Sequence, residues 1–157
     1  VLRLSDENVA LLRDALAIAR QQEGVSTRIE AIYRDVQDQI DARKPRCDIS
    51  GRCCRFDEYG HRLFVTTLEI AAFAGALPGP VLPVTTGGCP YQIDRLCTVH
   101  AIRPFGCRIY FCDPTAQDWQ HAQYEDFHLR LRDLHAELAV PYFYVDWLEA
   151  LRALGRD

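Results

Sequence analysis

With 157 residues, 48% hydrophobic and 25% charged, the chain has the composition of one globular domain whose core needs no staples. No apolar run approaches the roughly 18–20 residues of a spanning helix, and acids and arginines interrupt Val1 to Arg20, where a signal peptide would be apolar. A net charge of -4 gives no support to nucleic-acid binding, which calls for a concentrated basic face, so a soluble, cytoplasmic protein is expected.

Ser5-Asp6-Glu7 predicts a helix start, followed by Val9, Leu12, Leu16 and Ala19 on one face and stopped at Gly24. Thr27 and Glu30 match a capping box, in which each side chain satisfies an orphan amide at a helix start. Ile29, Ile32 or Tyr33, Val36 and Ile40 continue that second amphipathic helix, which ends before Pro45. Residues 1–44 thus read as a helical hairpin.

Residues 45–114 read as a cysteine-rich core. Cys53 to Val65 predicts a short β-hairpin around the turn Asp57-Glu58-Tyr59-Gly60. Thr66 and Glu69 form a second capping box, opening a short helix through Ala74 that Gly75 ends. Leu77 to Gly88, with its prolines and glycines, is loop. Residues 115–157 read as C-terminal helices. Beyond Pro114, Tyr124, Phe127, Leu131, Leu134 and Leu138 form one stripe of a long helix. Pro141 breaks it, and Trp147, Leu148, Leu151 and Leu154 mark a last helix. No internal repeat is seen. The expected fold is a single domain over 1–157, mostly α with a small β-hairpin and an irregular cysteine-rich metal-binding centre.

All seven cysteines lie between Cys47 and Cys112: Cys47, Cys53, Cys54, Cys89, Cys97, Cys107 and Cys112. An odd count and a sufficient core weigh against a disulfide framework. Concentrated thiols point instead to metal ligation, so all seven are candidate ligands. A tetrahedral zinc site takes four Cys or His ligands, usually from C-x2–4-C knuckles, and the chain has no C-x2-C pair. Iron–sulfur clusters also take four thiolates, at looser spacings. Arg52, Arg55, Arg95, Arg103 and Arg108 crowd the cysteines and would favour thiolate around either metal. Adjacent Cys53 and Cys54 are awkward partners for one ion, so one ligates while the other packs, binds a second metal or acts in redox. His100, one helical turn from Cys97, is either a further ligand or a loop anchor.

Three stretches carry a resemblance: Cys89-Pro90-Tyr91; Cys97-Thr98-Val99-His100; and Arg103-Pro104-Phe105-Gly106-Cys107-Arg108-Ile109-Tyr110-Phe111-Cys112. With Cys47, Cys53-Cys54, Arg55, Thr66 and Glu69 upstream, residues 47–114 resemble the YkgJ-type cysteine-cluster family of zinc- or iron-chelating domains. The resemblance implies metal binding. In some relatives it also implies an iron–sulfur cluster linked to lysine methylation of flagellin. The family's first group usually has four cysteines; here Ser50 stands where one of them would fall, and tyrosine often occupies the position of His100.

His121, His128 and His135 recur every seven residues, about 10.5 Å along a helix, too far for neighbours to share an ion. They read as boundary residues. Tyr142-Phe143-Tyr144 with Trp147 reads as a packing surface. No catalytic constellation and no nucleotide motif is present in the sequence. The favoured expectation is an iron–sulfur cluster serving electron transfer, redox sensing or a partner enzyme. The alternatives are a structural zinc module acting through a protein partner and a component of a redox or methyl-transfer enzyme.

Overall fold

The computed structural model describes residues 3–155. Helix α1 spans Asp6–Gln21, and the Ser5 hydroxyl caps it by accepting from the Asn8 N–H at 3.2 Å. Its expected face is the buried one, with Leu12 and Ala19 fully enclosed. Helix α2 spans Val25–Arg43 and starts two residues before the expected Thr27. Gly24 takes a left-handed φ of 76° there, turning the chain so sharply that Val25 is already helical. Thr27 therefore lies inside the helix and caps nothing.

The expected hairpin over Cys53–Val65 does not form. Arg52–Cys54 is a 3-10 turn, and Phe56–Tyr59 is a four-residue helix, α3, closed by left-handed Gly60. Strand β1, Phe64–Thr66, leads straight into helix α4, Thr67–Ala76, with the expected capping box of Thr66 and Glu69. Gly75 lies within that helix rather than ending it. The true hairpin is later: β2, Gln92–Ile93, pairs antiparallel with β3, Leu96–Cys97. Its two turn residues, Asp94 and Arg95, both have positive φ (50° and 68°), the conformation of a type I′ turn.

Helix α5, Phe105–Ile109, carries Cys107. After a 3-10 turn at Pro114–Ala116, helix α6 runs from Gln117 to Glu137 and buries Phe127, Leu131 and Leu134, as its stripe requires. It ends four residues before Pro141, with Ala139 left-handed. Strand β4, Tyr144–Asp146, then passes into helix α7, Trp147–Gly155.

β1 pairs antiparallel with β4 in the register Phe64↔Asp146, Val65↔Val145 and Thr66↔Tyr144. The pairing is symmetric about Val65 and Val145, and each strand runs directly into a helix. The sequence contains this symmetry: Phe64-Val65-Thr66-Thr67-Leu68-Glu69 is echoed by Tyr144-Val145-Asp146-Trp147-Leu148-Glu149. A short strand–helix motif therefore occurs twice, correcting the expectation of no repeat. Asp146 caps α7 as Thr66 caps α4, accepting from the Leu148 N–H at 2.9 Å. α4 is the central helix, packed against α1 and α2 and buried at Leu68, Ile70 and Phe73. No described helix is long and apolar enough to cross a membrane.

Candidate metal centre

Backbone hydrogen bonds bring the cysteine segments together. The Cys89 N–H donates to the Cys54 carbonyl at 2.8 Å, and the Gln92 side-chain amide donates to the Gly51 carbonyl at 2.8 Å. Gly51 has a φ of 74°, and a Cβ there would lie 2.8 Å from Gln92 Nε2, so this close approach needs glycine. At the other flank, Asp113 accepts from the Arg46 N–H at 3.0 Å, fastening the neighbour of Cys47 to the neighbour of Cys112.

All seven cysteines are free thiols. Cys53 and Cys54 lie with sulfurs 3.9 Å apart, close enough to share a proton. The acidity of Cys54 is suppressed by its thiol neighbours and by burial, while Cys53 and Cys89 beside it become more acidic. The Cys53 thiol is lowered to about 7, chiefly by the hydrogen bond from Cys54 and against the cost of burial. Cys89 is lowered to about 7 by the same donor, with further help from the Trp147 indole N–H, 3.4 Å from its sulfur. Burial pushes Cys97 up and Cys107 well up, and the negative charge of Cys89 and Cys53 adds to both. These five thiols, from four stretches of chain, act on one another electrostatically. Burial lowers Arg103, while Cys107, Cys97, Cys53 and Cys47 hold its charge in place.

Cys47 and Cys112 stand apart from this inner group. Cys47 is exposed, and the half-buried Cys112 sulfur lies 3.6 Å from the Ser50 hydroxyl. Ser50, the position where the resemblance leads one to expect another cysteine, therefore faces a thiol. Arg103 donates to His100 Nδ1 at 2.9 Å and to the His100 carbonyl, which engages His100 as a loop anchor. A cleft of about 220 Å³ opens beside the thiols, lined among others by Cys53, Cys107, His61, Tyr110, Tyr124 and Tyr144.

Among the described residues, no three His, Cys, Asp or Glu side chains are placed so that they could hold one metal ion. The donor types present, the contacting thiols of Cys53 and Cys54 and the nearby Cys89, are those that thiophilic metals take.

The histidines of α6 divide. His121 is exposed and His128 sits at the edge, hydrogen-bonded to the Tyr142 hydroxyl at 2.7 Å. His135 is no boundary residue: it is 1% exposed, accepts from the Leu68 N–H through Nε2 at 3.1 Å and donates from Nδ1 to the Leu131 carbonyl. The expected aromatic packing surface contains buried Trp147, while Tyr142 and Tyr144 remain partly exposed. The sequence reading missed the contacts of Trp147 and Ser50 with sulfur, and the reach of Glu69 described below. Local pattern carries no signal for the first two.

No family model matches the chain, and neither does any curated protein or solved structure.

Proposed function

We propose that this chain is a metal-binding protein in which Cys89, Cys97, Cys107 and one of the adjacent pair Cys53 and Cys54 supply the four thiolates of an iron–sulfur cluster, with Cys47 and Cys112 at its margin. One observation carries the reading: free thiols from separate stretches of chain come together, Cys53 and Cys54 in sulfur contact, Cys89 tied to Cys54 through the backbone, and Cys53, Cys97 and Cys107 acting on the half-buried guanidinium of Arg103. A buried cation facing thiols is well matched only when those thiols are deprotonated, the state a metal stabilises.

A bound cluster would supply one-electron chemistry, and the positive charge of Arg103 suits an anionic centre. Electron transfer, redox sensing or support of a partner enzyme follows from that chemistry, while the resemblance to the YkgJ-type family implies metal binding with zinc or iron alike. Structural zinc is the second reading, favoured by one distance. Tetrahedral zinc–thiolate bonds of about 2.3 Å place sulfurs about 3.8 Å apart, close to the 3.9 Å between Cys53 and Cys54.

Purification without oxygen, followed by visible absorption and assays for iron, sulfide and zinc, separates these readings. Brown protein with matching iron and sulfide is expected. Colourless protein with stoichiometric zinc would replace the cluster by the structural module, and metal-free protein would overturn both.

A further inference from the structure

Glu69 and Glu149 hold the same place in the two copies of the strand–helix motif, and both are buried, at 3% and 4% exposure. Their partners differ. Glu149 accepts from the Leu4 N–H at 3.0 Å and pairs with Arg152, on the side of the molecule formed by α1 and α7. Glu69 reaches toward the cysteines. Its Oε2 accepts from the Thr66 N–H and hydroxyl, both at 2.9 Å. Its Oε1 accepts from the Phe105 N–H at 2.8 Å and from the Tyr33 hydroxyl at 3.4 Å.

Phe105 is the first residue of α5, and Cys107 is the third. A five-residue helix does not form on its own, because nucleation is unfavourable and so few bonds follow it. Its N-cap residue, Pro104, provides no side-chain hydrogen bond. The missing acceptor comes instead from Glu69, 36 residues away in sequence. The other end of α5 is fixed from the same direction: the Arg108 guanidinium lies 4.1 Å from the Tyr33 ring centroid and donates to the carbonyls of Arg103 and Ala101.

We infer that Glu69 is a positioning residue for the thiol centre: as a remote cap on α5, it sets the direction in which Cys107 presents its sulfur to Cys53, Cys89 and Cys97. The inference rests on the metal-binding reading, and Glu149 is its internal control, a buried carboxylate at the equivalent place of the motif whose side-chain partners are Leu4 and Arg152 rather than Phe105.

The test is anaerobic cobalt(II) titration of the full reduced chain, reading affinity and thiolate-to-cobalt charge-transfer absorbance per bound ion, beside urea unfolding. Glu69→Ala is expected to weaken cobalt binding roughly tenfold or more and to lower the absorbance per ion, the range typical of lost supporting contacts. Glu69→Gln can keep an oxygen for the Phe105 N–H while its amide N–H2 faces the Thr66 N–H, and is expected to recover part of both. Glu149→Gln is expected to lower the urea midpoint and leave the cobalt spectrum alone. If Glu69→Ala does not fold, Glu69→Asp, which withdraws the carboxylate by one methylene, is read with the same expectation. Glu69→Ala or Glu69→Asp protein with wild-type affinity and absorbance per ion, or a Glu149→Gln spectrum altered as much as that of Glu69→Ala, would overturn the inference. Wild-type protein that forms no cobalt–thiolate bands would overturn the metal reading beneath it.

Discussion

The indole N–H of Trp147 donates to the sulfur of Cys89 across 3.4 Å, joining the first residue of α7 to the thiol centre. Trp147 is 1% exposed and packs edge-on against Phe73, with ring centroids 4.9 Å apart. One side chain thus belongs both to the core and to the site.

Replacing Trp147 by Phe keeps an aromatic ring and deletes the donor. Stability is expected to fall by about 1–3 kcal/mol, from the lost hydrogen bond and the smaller ring together. The Trp147 N–H favours thiolate, so Cys89 loses acidity in the variant. In metal-free protein at neutral pH, Cys89 is expected to react more slowly with iodoacetamide, as peptide mass spectrometry of timed samples would show. Unchanged labelling would separate the indole from the thiol's chemistry.

The cysteines are expected to divide by position. Serine at Cys53, Cys89, Cys97 or Cys107 removes a member of the inner group and should abolish stoichiometric metal. Serine at exposed Cys47 should leave the metal content within experimental error of wild type. Metal analysis of the five proteins in parallel checks this. Equal losses at Cys47 and Cys107 would mean that the inner group is not the binding unit.

His135 gives the fold a pH dependence of defined sign. Burial, the largest influence, lowers its pKa below the ordinary histidine value, and the nearby His128 acts in the same direction. Protonation would also remove the lone pair that accepts from the Leu68 N–H. The unfolded chain titrates near pH 6.5. The stabilisation is therefore full above that pH and lost progressively as pH falls toward the lower folded value. Urea midpoints should fall progressively below about pH 6.5. His135→Leu should lose about 1–3 kcal/mol at pH 7 by orphaning the Leu68 N–H, with a shallower acid slope. A wild-type slope in the variant would assign the dependence elsewhere.

Local chemistry in the sequence was sufficient for the long elements. Ser5 caps α1, Thr66 and Glu69 form their box, and the stripes of α1, α2 and α6 bury most of the residues that their spacing selects, with Ile40 and Tyr124 half-buried and Leu138 just past the end of α6. What escaped depends on partners distant in sequence. β1 pairs with β4 across most of the chain, so its three residues, read locally, suggest a hairpin with the nearest apolar run. Asp94-Arg95 adopts two left-handed residues without the glycine that advertises such a turn. The duplicated strand–helix motif is six residues long, with Trp147 facing Thr67 in the alignment, too brief and altered to read as a repeat. In the site, clustering of cysteines was enough to nominate all seven, but not to separate the inner five from Cys47 and Cys112. That division comes from Asp113, Gly51 and Gln92, whose hydrogen bonds and close contacts decide which segments meet.

The most direct measurement is native mass spectrometry of the full chain purified without oxygen, combined with a count of thiols open to alkylation before and after the metal is removed. Expected is a mass above that of the polypeptide by a cluster or an ion, with most thiols shielded until removal and the partly exposed ones of the inner group, Cys53, Cys89, Cys97 and Cys107, becoming reactive afterwards. A bare polypeptide mass with all seven thiols reactive from the start would contradict the account.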